Sequence, residues 1–135
     1  MGINESGFLD VLLFSLLDPR FYFAMNIPVV SSREEFEDAL NNHEKAVVFY
    51  FSAPWSKPCK EARIALEQCI PRFPGIDFVQ VDYDKNTHAV QFCEVYGLPA
   101  FKVFKDGSPL EGGHHEGGIT AQKLEQWLNR ICPVG

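Results

Sequence analysis

The 135-residue sequence has no closely spaced pair of cysteines, no run of Lys or Arg, no internal repeat and no low-complexity segment. Its four cysteines, Cys59, Cys69, Cys93 and Cys132, lie too far apart for the short ligand spacing of a zinc site. The formal net charge is −6 at pH 7. Because nucleic-acid binding requires a basic surface, we expect no nucleic-acid partner.

The sequence has instead the composition of an ordinary globular domain, with 46% hydrophobic and 22% charged residues. A chain of this length can bury a full hydrophobic core, so it does not need disulfides to remain folded. We therefore expect reduced thiols and a reducing compartment, the cytoplasm. No motif in the sequence implies a cofactor.

Residues 1–24 differ from the rest and are predicted to form an apolar N-terminal extension, followed by one domain over residues 25–135. Positions 8–17 hold eight apolar residues, but this run is too short to span a bilayer, which takes about 20 apolar residues. Glu5 and Asp10 are acidic, whereas a secretory signal peptide begins with basic residues. We expect a short amphipathic or buried helix, or else a poorly ordered tail.

The first six residues, MGINES, also match the N-myristoylation pattern M-G-x-x-x-[ST] through Gly2 and Ser6. A single acyl chain anchors a protein only marginally, and the apolar run behind it would supply a second contact. Membrane contact through residues 1–24 is therefore the alternative expectation for this segment.

From Asn26 onward, apolar residues recur with the periods of strands and helices. Residues 46–52, AVVFYFS, are a continuous apolar run and predict a strand buried on both faces. Residues 58–70 predict a helix that stops before Pro71, and residues 86–97 predict a helix that ends at Gly97. The whole pattern predicts an α/β fold with a central mixed sheet flanked by four helices, in the order β-α-β-α-β-α-β-β-α.

The segment after the central strand reads APWSKPCKEA, residues 53–62, and combines a sharp turn with the start of a helix. Serine is a preferred N-cap residue, so the side-chain oxygen of Ser56 is expected to accept the backbone N–H of Cys59. Cys59 would then lie one turn inside the helix, mostly covered.

Three stretches carry a resemblance to a known family: FSAPWSKPCK at residues 51–60, GLPAF at residues 97–101 and VFKDG at residues 103–107. Together with the predicted element order, they make residues 25–132 resemble thioredoxins. The resemblance implies the thioredoxin fold, a cis-proline at Pro99, and thiol-disulfide exchange as the chemistry of the family.

The sequence departs from the family pattern in its reactive residues. Ser56 stands in place of the attacking cysteine, while Cys59 matches the inner cysteine. Tyr50 stands where thioredoxins usually carry a buried acid, and Ile64 where their long helix often has a proline. A serine hydroxyl is a very weak nucleophile without an adjacent base, and a tyrosine, with a pKa near 10, is no base at pH 7. Compared with the family pattern, the site therefore lacks the groups that thiol-disulfide exchange requires, and we expect it to have lost that activity.

What the resemblance leaves in place is a groove that binds extended peptide segments. Pairing of a partner's backbone beside the proline needs no thiol. The leading hypothesis is therefore a redox-inactive or weakly active module that binds protein or peptide segments. The groove residues implied by the family are Trp55, Lys57, Pro58, Leu98, Pro99 and Gly118.

Two alternative hypotheses remain open. In the first, the chain is a single-cysteine oxidoreductase or thiol sensor that uses Cys59, or Cys93, which we expect to be exposed. In the second, it is an ordinary dithiol thioredoxin with an engineered Ser56. No metal site is predicted at His114 and His115, because adjacent residues of a strand point to opposite faces.

Overall fold

The computed structural model describes residues 27–42 and 44–132, so the expectations for residues 1–24 lie outside the described part of the chain. A short 3-10 turn, Ile70–Arg72, follows the second helix directly. The strands are β1 (Val29–Val30), β2 (Ala46–Ser52), β3 (Ile76–Asp82), β4 (Ala100–Lys105) and β5 (Ser108–Glu116). The α-helices are α1 (Arg33–Leu40), α2 (Lys57–Cys69), α3 (Thr87–Phe92) and α4 (Ala121–Ile131).

The five strands form one mixed sheet in the order β1-β3-β2-β4-β5. β3 is parallel to both β1 and β2, while β4 is antiparallel to β2 and β5 is antiparallel to β4. Parallel neighbours require crossover connections, here through helices, whereas β4 and β5 are joined by a tight turn. The predicted fold class and element order are confirmed.

Alternate side chains of the central strand β2 enter two different hydrophobic clusters, one on each face of the sheet. Val48 and Tyr50 pack with residues of α2 and α4, such as Leu66 and Leu128. Phe49 packs on the other face with residues of α1 and α3. Because helices cover both faces, β2 is apolar on both sides, as the continuous run of the sequence predicts.

Serine side chains cap the starts of α1 and α2, and the Ser56 cap of α2 is the one that the sequence analysis predicts. Ser32 accepts the backbone N–H of Glu35 at 3.2 Å, and the Glu35 carboxylate accepts the backbone N–H of Ser31 at 3.0 Å. This closes the first turn of α1 much as a capping box does.

Among the helices of the described part of the chain, none has the length and hydropathy that would let it cross a bilayer.

The third helix is shorter than predicted, because α3 ends at Phe92 rather than at Gly97. Glu94 has a φ of 55°, so the residue in the left-handed region after the helix is Glu94 and not, as predicted, Gly97. This reversal lets the N–H of Val95 reach the carbonyl of Val90 at 3.1 Å and places the Val95 side chain in the core. Burial of Val95 therefore outweighs the preference for glycine at the end of the helix.

Candidate functional site

The turn between β2 and α2 places Ser56 at the start of the helix. The backbone N–H of Ser56 donates to the carbonyl of Ala53 at 3.1 Å, which closes the turn. Its side-chain Oγ accepts the backbone N–H of Cys59 at 3.4 Å. Pro58, within the first turn of the helix, has no N–H that would need a partner. The predicted N-cap role of Ser56 is confirmed, and the side chain is buried.

Cys59 lies one turn inside α2 and is only 3% exposed. The hydroxyl of Tyr50 donates a hydrogen bond to the carbonyl oxygen of Cys59, and the Tyr50 ring stacks on Phe101 with centroids 5.2 Å apart. Burial, followed by the neighbouring Cys59, raises the pKa of Tyr50 well above its usual range. Tyr50 is therefore a protonated donor at neutral pH and supplies no base to the thiol.

No histidine of the described part of the chain could activate the hydroxyl of Ser56. His88 lies 3.7 Å from Glu37, and His114 lies 2.8 Å from Glu116. His115 packs against the aromatic rings of Phe101 and Trp127. Without an adjacent base, the Ser56 hydroxyl remains a weak nucleophile.

Trp55 is exposed at the turn, with 67% of its surface accessible. Its indole N–H donates to the carboxylate of Asp84, with oxygen distances of 3.0 and 3.2 Å. The ring also meets Tyr83 edge-on, with centroids 6.4 Å apart. These two contacts hold an apolar ring facing solvent, and Lys57 and Pro58 beside it are also exposed.

The loop Gly97–Pro99 precedes β4 and ends in a cis peptide bond between Leu98 and Pro99. The carbonyl of Pro99 accepts the backbone N–H of Gly117 at 2.8 Å, which brings Gly118 close to the proline. Gly118 is exposed, and a side chain there would meet open space. Within residues 27–42 and 44–132, no hydrogen bond engages the backbone of Leu98.

The strand register places the turn and the loop at the same edge of the sheet. Phe51 pairs with Ala100, and Ala100 pairs with Glu116. The turn follows β2, the loop precedes β4, and Gly118 follows β5, so all three segments meet at this edge. The six groove residues and the Ser56–Cys59 turn, which are distant in sequence, therefore belong to one face of the molecule.

A carboxylate that sequence reasoning missed supports the loop. Glu116 accepts the backbone N–H of Tyr96 at 3.1 Å and lies 2.8 Å from Nε2 of His114. Burial acts to raise the pKa of Glu116, but the hydrogen bonds from His114, Tyr96 and Gly97 outweigh it and lower the pKa. Tyr96 itself is 84% exposed, which adds a second aromatic ring to this face.

A cavity of about 310 Å³ lies beside Cys59 and behind the turn. Tyr50 and Cys59 form part of its wall, and Lys60 and Arg63 bring positive charge to it. Arg63 hydrogen-bonds to Gln80, which in turn donates to the hydroxyl of Ser52 at 2.9 Å. The wall also includes Asp82, so both signs of charge are present. The one thiol of the turn therefore lines this cavity rather than the exposed face that carries Trp55.

Of the remaining cysteines, Cys69 and Cys93 are buried and Cys132 is partly exposed. The expectation that Cys93 is exposed is wrong, because it is fully buried. Cys93 follows Ala89 by one helical turn and so shares its buried face. Burial raises the pKa of Cys93 to about 12 and that of Cys69 to about 11. Burial also raises the pKa of Cys132. A thiol sensor based on Cys93 is therefore not supported.

The structure is an α/β domain of thioredoxin fold. One edge of its sheet combines a Trp-x-x-Pro-Cys turn with a cis-proline loop. The Thioredoxin family matches residues 27–130, which is most of the chain. This chain belongs to the thioredoxin family.

Individual relatives agree with this assignment. The chain is 33% identical over 98 residues to chloroplastic thioredoxin X of Arabidopsis thaliana, covering 72% of this chain but only 54% of that protein. It therefore spans about half the length of that relative. It is 32% identical over 103 residues to thioredoxin of Ovis aries, covering 76% of this chain and 95% of that protein.

Solved structures give the same result. The crystal structure of thioredoxin from Trypanosoma brucei brucei superposes with a TM-score of 0.71 at 31% identity, covering 80% of this chain and 92% of that one. Oxidised mitochondrial thioredoxin 3 of Saccharomyces cerevisiae gives a TM-score of 0.69 at 27% identity, covering 82% of this chain and 98% of that one.

Proposed function

We propose that this chain binds an extended segment of a partner protein at the sheet edge described above, and that it has little or no thiol-disulfide exchange activity. The observation that carries the proposal is the environment of Ser56 and Cys59. The oxygen of Ser56 is engaged as the N-cap of α2 at 3.4 Å, and the only sulfur of the turn is 3% exposed.

Disulfide exchange requires one thiolate to attack and a second to resolve the mixed disulfide. The turn offers a single sulfur, and the residue that contacts Cys59 from the sheet is a tyrosine rather than a carboxylate. A hydroxyl whose pKa is raised by burial cannot accept a proton from the thiol. These features together support the loss of the catalytic cycle.

The docking features do not depend on sulfur. The unengaged backbone of Leu98 offers a donor and an acceptor to an extended partner, as in strand addition to a sheet edge. Trp55 offers an exposed aromatic ring held in place by Asp84. Large aromatic residues of this kind contribute much of the free energy at protein interfaces. Lys57, Pro58 and Gly118, which are exposed, and Pro99, which is buried, complete the proposed groove.

The binding proposal is tested with the full chain and a simple extended peptide, the reduced and carboxymethylated insulin B chain. Binding should shift the amide NMR signals of Trp55, Leu98 and Gly118. Replacing Trp55 with Ala should weaken binding about tenfold, which corresponds to about 1.4 kcal/mol. Ile64→Ala removes an apolar side chain of 58% exposure two helical turns away and should leave the affinity within about twofold. Shifts elsewhere on the surface, or none, contradict the proposal.

The redox part of the proposal is tested by insulin reduction in the presence of dithiothreitol. The chain should not accelerate the reaction above the uncatalysed rate, because no second thiol can resolve a mixed disulfide. Turnover similar to that of an ordinary thioredoxin would contradict it. The four cysteines are free thiols, which supports a reducing compartment, the cytoplasm, as the site of action.

A second function, a single-cysteine oxidoreductase or sensor based on Cys59, is favoured by one observation. Cys59 lines the 310 Å³ cavity together with Lys60, Arg63 and Asp82. Incubation with glutathione disulfide followed by mass spectrometry decides between the two functions. A mixed disulfide at Cys59 that forms faster than at Cys132, the partly exposed cysteine of the described chain, would favour the sensor.

A further inference from the structure

A second cavity, of about 700 Å³, lies at the opposite edge of the sheet, where β2 and β3 begin. Its walls are largely apolar and come from α1, the strands and the 3-10 turn, through residues that include Ala39, Val47, Ile70, Phe73 and Ile76. For scale, a cavity of about 150 Å³ in another protein holds a benzene molecule. The space is therefore large enough for several apolar side chains, and the proposed groove does not use it.

The described chain begins at this edge. β1 runs parallel to β3, with Val29 paired to Gln80, so Ile27 and Pro28 lie beside the middle of β3. Pro28 itself lines the cavity, and its carbonyl accepts the backbone N–H of Gln80 at 2.8 Å. The described part of the chain therefore starts one residue before the wall of the cavity.

The sequence upstream contains an apolar stripe with helical spacing. Five leucines recur at i, i+3, i+4, i+7 and i+8, the pattern of one apolar helix face, and they are Leu9, Leu12, Leu13, Leu16 and Leu17. Asp10 and Ser15 fall outside this face, and so do the apolar residues Phe8, Val11 and Phe14. Pro19 follows and is a suitable end for a helix. So short an amphipathic helix is marginal in water and needs an apolar partner surface.

We propose that residues 8–17 bind in the 700 Å³ cavity of their own chain as a helix, with the leucine stripe turned inward. Residues 18–26 can span up to about 30 Å when extended, which is ample to reach a cavity that begins at Pro28. A tether of this length keeps the stripe at about millimolar effective concentration. Intramolecular binding is therefore favoured over binding to a second copy.

The charges around the cavity favour this occupant over a membrane. Asp38, Glu44 and Asp77 surround the cavity together with one cation, Lys45, and Lys45 lies 3.8 Å from Asp77. The chain as a whole carries a net charge of −6. An acidic rim on an acidic protein is repelled by anionic lipid headgroups, whereas it does not oppose a leucine stripe from the same chain.

Photo-crosslinking in the full chain tests this proposal. p-Benzoylphenylalanine is incorporated in place of Leu13, at the centre of the stripe, and in a matched control in place of Ser15, outside it. After irradiation, mass spectrometry locates the crosslinked residues. The Leu13 position should crosslink within the same chain to residues 38–47 or 70–79, with a yield at least fivefold above that of the Ser15 position.

A substitution in the cavity wall sharpens the test. Ala39→Glu, in the last turn of α1, places a charge in the cavity and should reduce the Leu13 crosslink at least fivefold. Asn41→Glu adds the same charge at an exposed position that does not line the cavity, and should leave the yield unchanged. Crosslinks between two chains, crosslinks to other surfaces, or co-sedimentation of the full chain with phosphatidylcholine vesicles would each overturn the proposal.

Discussion

The turn Trp55–Cys59 and the loop Gly97–Pro99 meet at one edge of the sheet, and they differ in what they keep of the family pattern. The turn has a single sulfur, Cys59, with Ser56 as the helix cap and Tyr50 hydrogen-bonded to the Cys59 carbonyl. The loop has the Gly-Leu-Pro sequence and the cis bond, and within residues 27–42 and 44–132 the Leu98 backbone has no hydrogen-bond partner. On the proposed function, the reactive half of the site departs from the family pattern, whereas the half that would hold a partner's backbone keeps it.

This difference shows that reactivity and docking have separate physical requirements. Exchange chemistry needs two sulfurs and a proton acceptor within reach of one another. The proposed docking needs a backbone segment available for pairing and an apolar surface, for which the candidates are the half-buried Leu98 and the exposed Trp55. One substitution can remove the first set without disturbing the second, because Ser56 still caps α2.

The largest effect on this comparison should come from Tyr50, which is 1% exposed. Tyr50→Ala leaves a cavity beside Phe101 and removes the hydrogen bond to the Cys59 carbonyl, so the free energy of unfolding should fall by about 3–5 kcal/mol. Tyr96→Ala, at 84% exposure on the loop side, should change it by less than about 0.5 kcal/mol. Urea denaturation measures both free energies of unfolding. A loss for Tyr50→Ala as small as that for Tyr96→Ala would show that Tyr50 is not structural.

A gain of activity should follow when the reactive half is rebuilt in two steps. Ser56→Cys should form a disulfide with Cys59 yet reduce insulin slowly, because Tyr50 cannot accept the proton of Cys59. Adding Tyr50→Asp should raise turnover at least tenfold, the low side of the roughly 10²–10⁴-fold contributed by a positioned base. The buried carboxylate should also lower stability. Full turnover from Ser56→Cys alone would mean that Tyr50 only packs, and would favour an engineered Ser56.

A smaller effect is expected from Ser56→Ala, which removes the N-cap of α2. Loss of a serine cap typically lowers the free energy of unfolding by about 1 kcal/mol. The hydrogen bond from the Cys59 N–H to the Ser56 Oγ is long, at 3.4 Å, so we expect a smaller loss here. Thr120→Ala removes the matching cap of α4, whose Oγ1 accepts the N–H of Lys123 at 3.2 Å, and serves as the comparison in urea denaturation. No loss for Ser56→Ala beside a clear loss for Thr120→Ala would contradict the assigned cap.

The smallest effect concerns the loop and its acidic support. Because the folded-state pKa of Glu116 is lowered, its contribution to stability is present above the ordinary glutamate pKa of about 4.3 and is lost as the pH falls toward the lowered value. Glu116→Gln should therefore reduce the stability difference between pH 7 and pH 3, measured as urea midpoints. Glu111→Gln, at an exposed position on the same strand, should leave that difference unchanged.

Much of the site could be predicted from local sequence, but its supports could not. Ser56 follows from N-cap preference, and the inward face of α2 follows from the spacing of Ala62, Leu66 and Cys69. The sequence does not single out Asp84 and Glu116, because acidic residues are common at the ends of strands and in the loops that follow them. Only the structure shows that they hold Trp55 and Tyr96, at sequence separations of 29 and 20 residues.

The sequence by itself determined the element order, the mixed sheet, the start of α2 and the absence of a second sulfur at the turn. Those properties depend on period, capping preference and residue identity, which are local. The tertiary structure decided that α3 ends early, that Cys93 is buried and that the turn, the loop and Gly118 share one edge. These outcomes depend on packing between elements distant in sequence, where burial of Val95 and Cys93 overrides the local preference for a glycine stop.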